Sequence, residues 1–540
     1  MKKELHLIRN TFGIATLLFL TSCRSTDTEN TINGNGISAV SFNLIGTDYG
    51  DSGKLSGQAS IGKGGIPNSE NQVQRHSILV TPSSFITAEL SPSLESSKVS
   101  GKASLGKNSV AVVSGNALTS GVKFRIIAYR QSNGAYHTHK DYTVGQPAEP
   151  MMLDNGAAYN IVVYSDGTTS LPEISSGEQN NIGSATVNYD NTSSDFMYQK
   201  IAFTPTNSTN TLNITLRHKV AQITTIINSG SLGNITGITG GLLTPHYSDG
   251  VVSLSSGVMT GRTTLTSGSA LNFSGLNTTT ATAAPVFVNA DTGGNATGGF
   301  SADMTIGGVT KTISLPNSFK ITPENKSNLT INLMKCGAYL GPGDTNWKQF
   351  ACHNLGADTT ANPFMPSAAI HGGKYQWGSN GSVAEEGSRW VSQKTDQANW
   401  GIITGWIPKI DALPDGTWSD ASKTGNDPCP TGYRVPTAAQ WNDIISNPSN
   451  KITALGPWTS VSNITDYDSG LLIGRGLFLP SSGWRDETTG FAKGLGITGY
   501  YASSSLSTGS TVSSLHITNS IINIVDDFRT TGVSVRCIAE

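Results

Sequence analysis

The sequence predicts a mainly β chain: two antiparallel β-sandwich domains in tandem, followed by an α+β domain. Three observations carry this reading. Stretches of apolar/polar alternation recur between Ala39 and Leu333, which is the period of half-buried strands. All nine Trp lie beyond residue 336, so composition changes there as between domains. Inside that Trp-rich part, Thr437 followed by Gln440 has the spacing of a helix capping box.

At 540 residues the chain exceeds what one hydrophobic core normally serves. Charged residues are 13% and the net charge is -2, so charge makes no case for nucleic acid or an anionic membrane surface as partner. Gly is abundant at 61 residues, which suits short strands and polar turns.

The N-terminus reads as a targeting segment, residues 1–22. Lys2, Lys3 and Arg9 precede the apolar run Phe12–Leu20, about half the length a membrane-spanning helix needs. Leu20-Thr21-Ser22-Cys23 resembles a bacterial lipobox. That resemblance implies acylation of Cys23 and an outer-membrane lipid anchor, with residues 23–37 as a polar tether. Asp27 and Glu29 resemble the acidic surface-export signals of some bacterial lipoproteins.

The first sandwich is expected over 38–190. Val40, Phe42 and Leu44 alternate with small or polar residues, and so do Val122, Phe124, Ile126 and Ala128, then Tyr159, Ile161 and Val163. The second is expected over 191–335, from Leu212, Ile214 and Leu216 to Leu329, Ile331 and Leu333. It is poor in aromatics, so its core should be Ile, Leu, Val and Ala.

A series of stretches in these two parts resembles the fimbrillin family of Bacteroidetes surface proteins. They are 117–129 with 133–136, 152–159, Val163-Tyr164-Ser165, Leu171-Pro172, Asp195-Phe196-Met197-Tyr198 and 216–223. The resemblance implies tandem sandwiches, lipoprotein export, and use as a pilus subunit or adhesin. In fimbrial members a protease cuts after an arginine and removes the first strand, and a neighbouring subunit's strand fills the groove. Carried onto this chain, the arginine is Arg75, and the partners are fimbrial subunits joined by strand addition.

Setting Cys23 aside, Cys336, Cys352, Cys429 and Cys537 remain. In an exported chain they read as two disulfides, with three possible pairings. Cys429 opens the stretch through Tyr433-Arg434-Val435-Pro436-Thr437 into a helix expected over Ala438–Ile445, with Trp441, Ile444 and Ile445 on one face. This stretch, His371–Gly378, Phe478–Arg485, Gly499–Ser505 and the closing Ser534–Ile538 resemble the FISUMP domain. That domain is similar in turn to the formylglycine-generating-enzyme superfamily with its C-type-lectin-like fold. The resemblance covers residues 336–540 and implies Cys429–Cys537, leaving Cys336–Cys352.

Catalysis is not expected: the four cysteines are taken up as structural pairs, and no P-loop, nucleophile elbow or His-Glu-x-x-His occurs. No cofactor is expected. His137 and His139 share a strand face without a third ligand, and His353, His371 and Asp358 read as loop packing, so no metal is expected. Most of the nine indoles read as core packing. Trp377, Trp390, Trp400, Trp406 and Trp484, with Arg485 and Asp486, lie in polar surroundings and are the candidates for stacking on a glycan or contacting a protein ligand. The functional expectation is a surface adhesin, at a fimbrial tip or associated with fimbriae. The rival is a lipoprotein capturing glycans for nutrition.

Overall fold

The computed structural model describes residues 36–50, 73–93, 116–191, 195–459 and 465–540. Cys23 and the targeting segment lie outside the described residues. No helix among the described residues is long and apolar enough to cross a membrane.

The first sheet has seven strands in the order Tyr136–Thr143, Lys123–Arg130, Tyr159–Ser165, Met197–Phe203, Asn210–His218, Ile37–Asp48, Met151–Asp154. Alternation sets its inner face: Phe124, Ile126 and Ala128 meet Tyr159, Ile161, Val163 and Val40 in one core. The other face is also buried, unlike the half-solvated strands expected. Ile127, Tyr129, Val162 and Tyr164 pack with Tyr189, Val252 and Leu254, the last three from the three-stranded layer Thr186–Asp190, Asp249–Ser253, Met259–Thr260 and the residue just beyond its middle strand. Arg125 lies on this second face at 2% exposure. Its guanidinium donates to Asp141 at 2.7 and 2.8 Å, to the Tyr164 hydroxyl at 3.0 Å and to Glu178 at 3.2 Å. A buried cation is tolerated there because every side of it meets an acceptor.

The second sandwich packs two sheets. One runs Phe273–Ser274, Thr280–Ala283, Ala221–Asn228, Lys326–Lys335, Ser84–Pro92, Gln74–Thr81. The other runs Ser269–Ala270, Ile235–Thr244, Gly298–Ile306, Val309–Phe319. Between them lie Ile223, Ile227, Leu243, Leu329, Ile331 and Leu333, the aliphatic core expected, joined by Phe300, Phe319 and Met304.

Two expectations are corrected. The boundary at 190/191 does not divide the sheets. Met197–Phe203 and Asn210–His218 complete the first sheet, while the hairpin Gln74–Thr81/Ser84–Pro92 leaves it for the second. Nor is either sheet wholly antiparallel. Ile37–Asp48 runs parallel to Asn210–His218, with Leu44 opposite Ile214, and Ala221–Asn228 runs parallel to Lys326–Lys335. Parallel neighbours need long crossovers, and alternation within a strand carries no information about which distant strand it will meet.

The last part contains the helix Ala438–Ser446, opened by the capping box: Thr437 Oγ1 accepts from the Gln440 N–H at 3.1 Å and the Thr437 N–H donates to Gln440 Oε1 at 2.9 Å. Trp441 and Ile444 are fully buried against Phe350, Leu471, Tyr501, Leu515 and Ile517. These residues line one face of a five-stranded sheet, Ala492–Leu495, Ser482–Arg485, Gly499–Leu506, Thr511–Ile517, Ile522–Phe528, and the smaller strands beside it. The disulfides are Cys336–Cys352 and Cys429–Cys537. The final strand Ile538–Ala539 pairs with Tyr433–Arg434.

Cys429 and Cys537 are 108 residues apart, so their bond removes much of the unfolded chain's freedom. Replacing both with Ser is expected to lower stability by about 2–4 kcal/mol. All nine Trp lie in this part, so indole fluorescence during guanidinium unfolding reports on it alone. An unchanged midpoint would show that the bond does not carry the stability assigned to it.

Candidate functional site

Arg75 sits on the edge strand Gln74–Thr81, opposite Glu89, with its Nε 2.9 Å from the Glu89 carboxylate. Both side chains are well exposed, so the pair itself contributes little. The neighbouring Gln74 amide bridges to Lys320, accepting from its N–H at 2.6 Å and donating to its carbonyl at 3.2 Å. The Arg75–His76 bond therefore lies within a paired strand, and a protease reaches it only when that edge opens. The strand Ile37–Asp48, which precedes Arg75, lies between Asn210–His218 and Met151–Asp154 and buries Val40 completely. Without it, both neighbours would expose unpaired ladder groups beside an apolar trough.

The C-terminal part places the seven ligand candidates very differently. Trp377 is 3% exposed, packed on Trp418 at 5.8 Å. Trp406 is 6% exposed, in a cluster with Val391 and Ile403 and tight against Gly490, where a Cβ would come within 2.8 Å of the indole. Arg485 is fully buried and Asp486 is 8% exposed. These four are corrected from ligand candidates to internal residues: Gly- and Ser-rich surroundings marked loops, but the loops fold over the side chains. Trp390 is half-buried, stacked on Tyr375 at 5.4 Å, its N–H donating to the Ser382 carbonyl. Trp400 is half-buried beside the strand Ala492–Leu495, where its carbonyl accepts from the Ala492 N–H. Trp484 is half-buried against Tyr500, with ring centroids 5.6 Å apart. Tyr500 and His516, themselves 4.7 Å apart, escaped the sequence reading. The alternation of Tyr500 with buried Tyr501, and of His516 with Leu515 and Ile517, was the signal that could have found them.

Arg485 anchors a charged knot. Its Nε donates to Asp396 Oδ1 at 2.7 Å, and its Nη atoms donate to the carbonyls of Gly490 and Asn399, both at 2.6 Å. Lys374, 1% exposed, reaches the other Asp396 oxygen at 3.2 Å. Asp396 is presented by the short helix Gln393–Ala398, capped by the Ser392 side chain. His371 is buried beside this knot, 5.0 Å from the Tyr467 ring. Burial, and then the Lys374 charge, push its imidazole down to about 3. Asp527, on the strand Ile522–Phe528, is shifted the other way: burial raises its carboxyl to about 6.

The knot ties Lys374, the helix Gln393–Ala398 and the Arg485–Gly490 turn together. Among the described residues no cluster of three or more His, Cys, Asp or Glu could hold a metal. His139 instead contacts the Tyr136 hydroxyl, and His137 lies beside Arg130.

No protein-family model matches the chain, and no curated protein matches it. Solved structures similar to it include a candidate cell adhesion protein from Bacteroides uniformis, at 16% identity over 39% of this chain and 86% of that one, TM-score 0.28. A candidate cell adhesion protein from Parabacteroides distasonis matches at 10% identity over 48% and 88%, TM-score 0.27. The fimbrial anchor protein Mfa2 from Porphyromonas gingivalis matches at 11% identity over 40% and 84%, TM-score 0.25.

Because His371 is neutral when folded but titrates near 6.5 when unfolded, its contribution is fully present above pH 6.5 and is lost as pH falls toward 3. Between pH 7 and pH 5 this amounts to about 2 kcal/mol. Urea unfolding of the native chain and of His371→Leu at both pH values checks it. The difference between the two proteins isolates the histidine from Asp527, whose shift has the opposite sign. Parallel pH slopes would refute the assignment.

Proposed function

We propose that the protein is a surface-exposed lipoprotein adhesin, at a fimbrial tip or associated with fimbriae, that binds a host or environmental ligand through residues 336–540. The observation that carries this reading is the state of the last strand. Ile538–Ala539 is paired with Tyr433–Arg434, and Cys537 is bonded to Cys429. A polymerising subunit must release a terminal strand into its neighbour, and this one is held inside its own domain. The other end differs. Ile37–Asp48 fills a trough between two strands and precedes Arg75, so cleavage there would leave a site for another subunit's strand. A subunit that accepts a strand while Ile538–Ala539 stays locked in its own domain fits a filament end better than a shaft. The lipobox-like segment ending in Cys23 supports export to the outer membrane and lipid anchoring before any such cleavage.

The second reading is an unprocessed lipoprotein that captures glycans for nutrition. The Arg75–Glu89 pairing within an edge strand favours it, because it protects the bond that the fimbrial reading needs cut.

Sequencing the N-terminus of the native surface form is expected to find His76 first, and Arg75→Ala to retain the upstream residues. A filament-associated form that keeps residues 24–75 overturns the processing step. Immunogold labelling with antibody to residues 336–540 is expected at filament ends, and labelling along the shaft rules out the tip position.

A further inference from the structure

One row of side chains crosses all five strands of the C-terminal sheet. Lys493 lies opposite Trp484. Gly483 lies opposite Gly499, which sets Trp484 beside Tyr500. Tyr500 lies opposite His516, and His516 opposite Asn523. The adjacent residues Tyr501, Leu515 and Ile517 enter the core with Trp441, so the two-residue period of the strands turns the row away from that core. The three rings are half-buried, and Lys493 and Asn523 are exposed. The Lys493 ammonium is 5.0 Å from the Trp484 ring, and the Asn523 side chain hydrogen bonds His516. Four strand spacings of about 4.8 Å give the row a length of about 19 Å.

The row's composition selects its occupant. Its apolar surface is aromatic, without an aliphatic side chain, and flat π faces pack on the C–H faces of sugar rings. An amide at one end and an ammonium at the other supply donors and an acceptor for hydroxyls. The backbone groups beneath are spent in sheet pairing, so a peptide cannot add as a strand here. Along the same face, Ala502, Ser514 and Val512 lead to a recess closed by Trp377 and Trp418, with room for about one water molecule. A ligand therefore lies along the row and does not enter the recess. Asp527, opposite Val512, has one buried carboxylate oxygen without a hydrogen-bond partner, which a water held between ligand and recess would satisfy.

We propose that Lys493, Trp484, Tyr500, His516 and Asn523 form a saccharide-binding strip for a short oligosaccharide, neutral or acidic, since the only charge on the row is the lysine. This rests on the reading of residues 336–540 as the ligand-binding part. The test uses the full-length protein in detergent on immobilised sialylated, fucosylated and unmodified galactose- and glucose-based oligosaccharides. Tyr500→Ala and Asn523→Ala are each expected to weaken retention at least about tenfold, equivalent to about 1.4 kcal/mol. Ile410→Ala, at a residue 90% exposed outside the row, is expected to leave it unchanged. Asn523 is exposed, so its variant keeps the fold, which the indole-fluorescence melt verifies. Retention unaffected by both row variants overturns the strip. So does a chain that adheres to cells or to proteins while retaining no saccharide, and that outcome leaves the adhesin reading standing.

Discussion

The bond between Cys429 and Cys537 is the constraint on which the C-terminal part depends. It ties the approach to the helix Ala438–Ser446 to the end of the chain, so the capping box, the buried Trp441 and the last strand are held in one place. Asp427 reinforces the approach from inside: its carboxylate accepts from the N–H groups of Cys429 at 2.9 Å and Val435 at 2.8 Å. Lys423 donates to the carbonyls of Cys429 and Tyr433 at 2.6 and 2.7 Å. Little regular secondary structure is needed where a covalent link and two charged side chains order the backbone of the turn.

The second disulfide acts at the seam with the preceding sandwich. The Cys336 N–H donates to the Ser83 carbonyl at 2.9 Å and the Cys352 N–H to the Pro82 carbonyl at 2.7 Å. The Ser83 hydroxyl donates to Gln349 and accepts from the Tyr433 hydroxyl, both at 2.8 Å. Phe85, fully buried, packs against both cysteines. The hairpin Gln74–Pro92 thus has its strands in one domain and its turn in the next. Pull on the C-terminal part would reach the sandwich through two routes, the turn and the strand Lys326–Lys335, which are themselves hydrogen-bonded neighbours. This favours a stiff joint over a loose tether. It also places the segment just after Arg75 under the hold of the C-terminal part.

Two buried guanidiniums, one in each half, are held in the same way. Arg125 and Arg485 are both wholly enclosed and both saturated by carboxylates and carbonyls. Each crosslinks loops or strands far apart in sequence. In the sequence, Arg125 interrupts an apolar run and Arg485 follows a tryptophan in a Gly/Ser-rich stretch. Neither pattern distinguishes a buried crosslink from an exposed polar residue, because the acceptors come from elsewhere in the chain.

The strands that hold Val40, Phe124, Ile161, Ile214 and Ile331, the aliphatic second core and the capped helix were legible in the sequence, because each follows from local periodicity or from a side chain reaching its own backbone; the strands Ile235–Thr244, Gly298–Ile306 and Val309–Phe319 were not, because Thr and Gly dominate there. The disulfide partners came from resemblance, since spacing alone left three pairings open. Tertiary structure decided the rest: the hairpin shared between domains, the parallel strand pairs, the burial of Trp377, Trp406, Arg485 and Asp486, and the row from Lys493 to Asn523. Each of these depends on hydrogen bonds and contacts between residues remote in the chain. A tryptophan in a polar loop carries no mark of whether that loop will close over it or leave one face of its ring beside Tyr500.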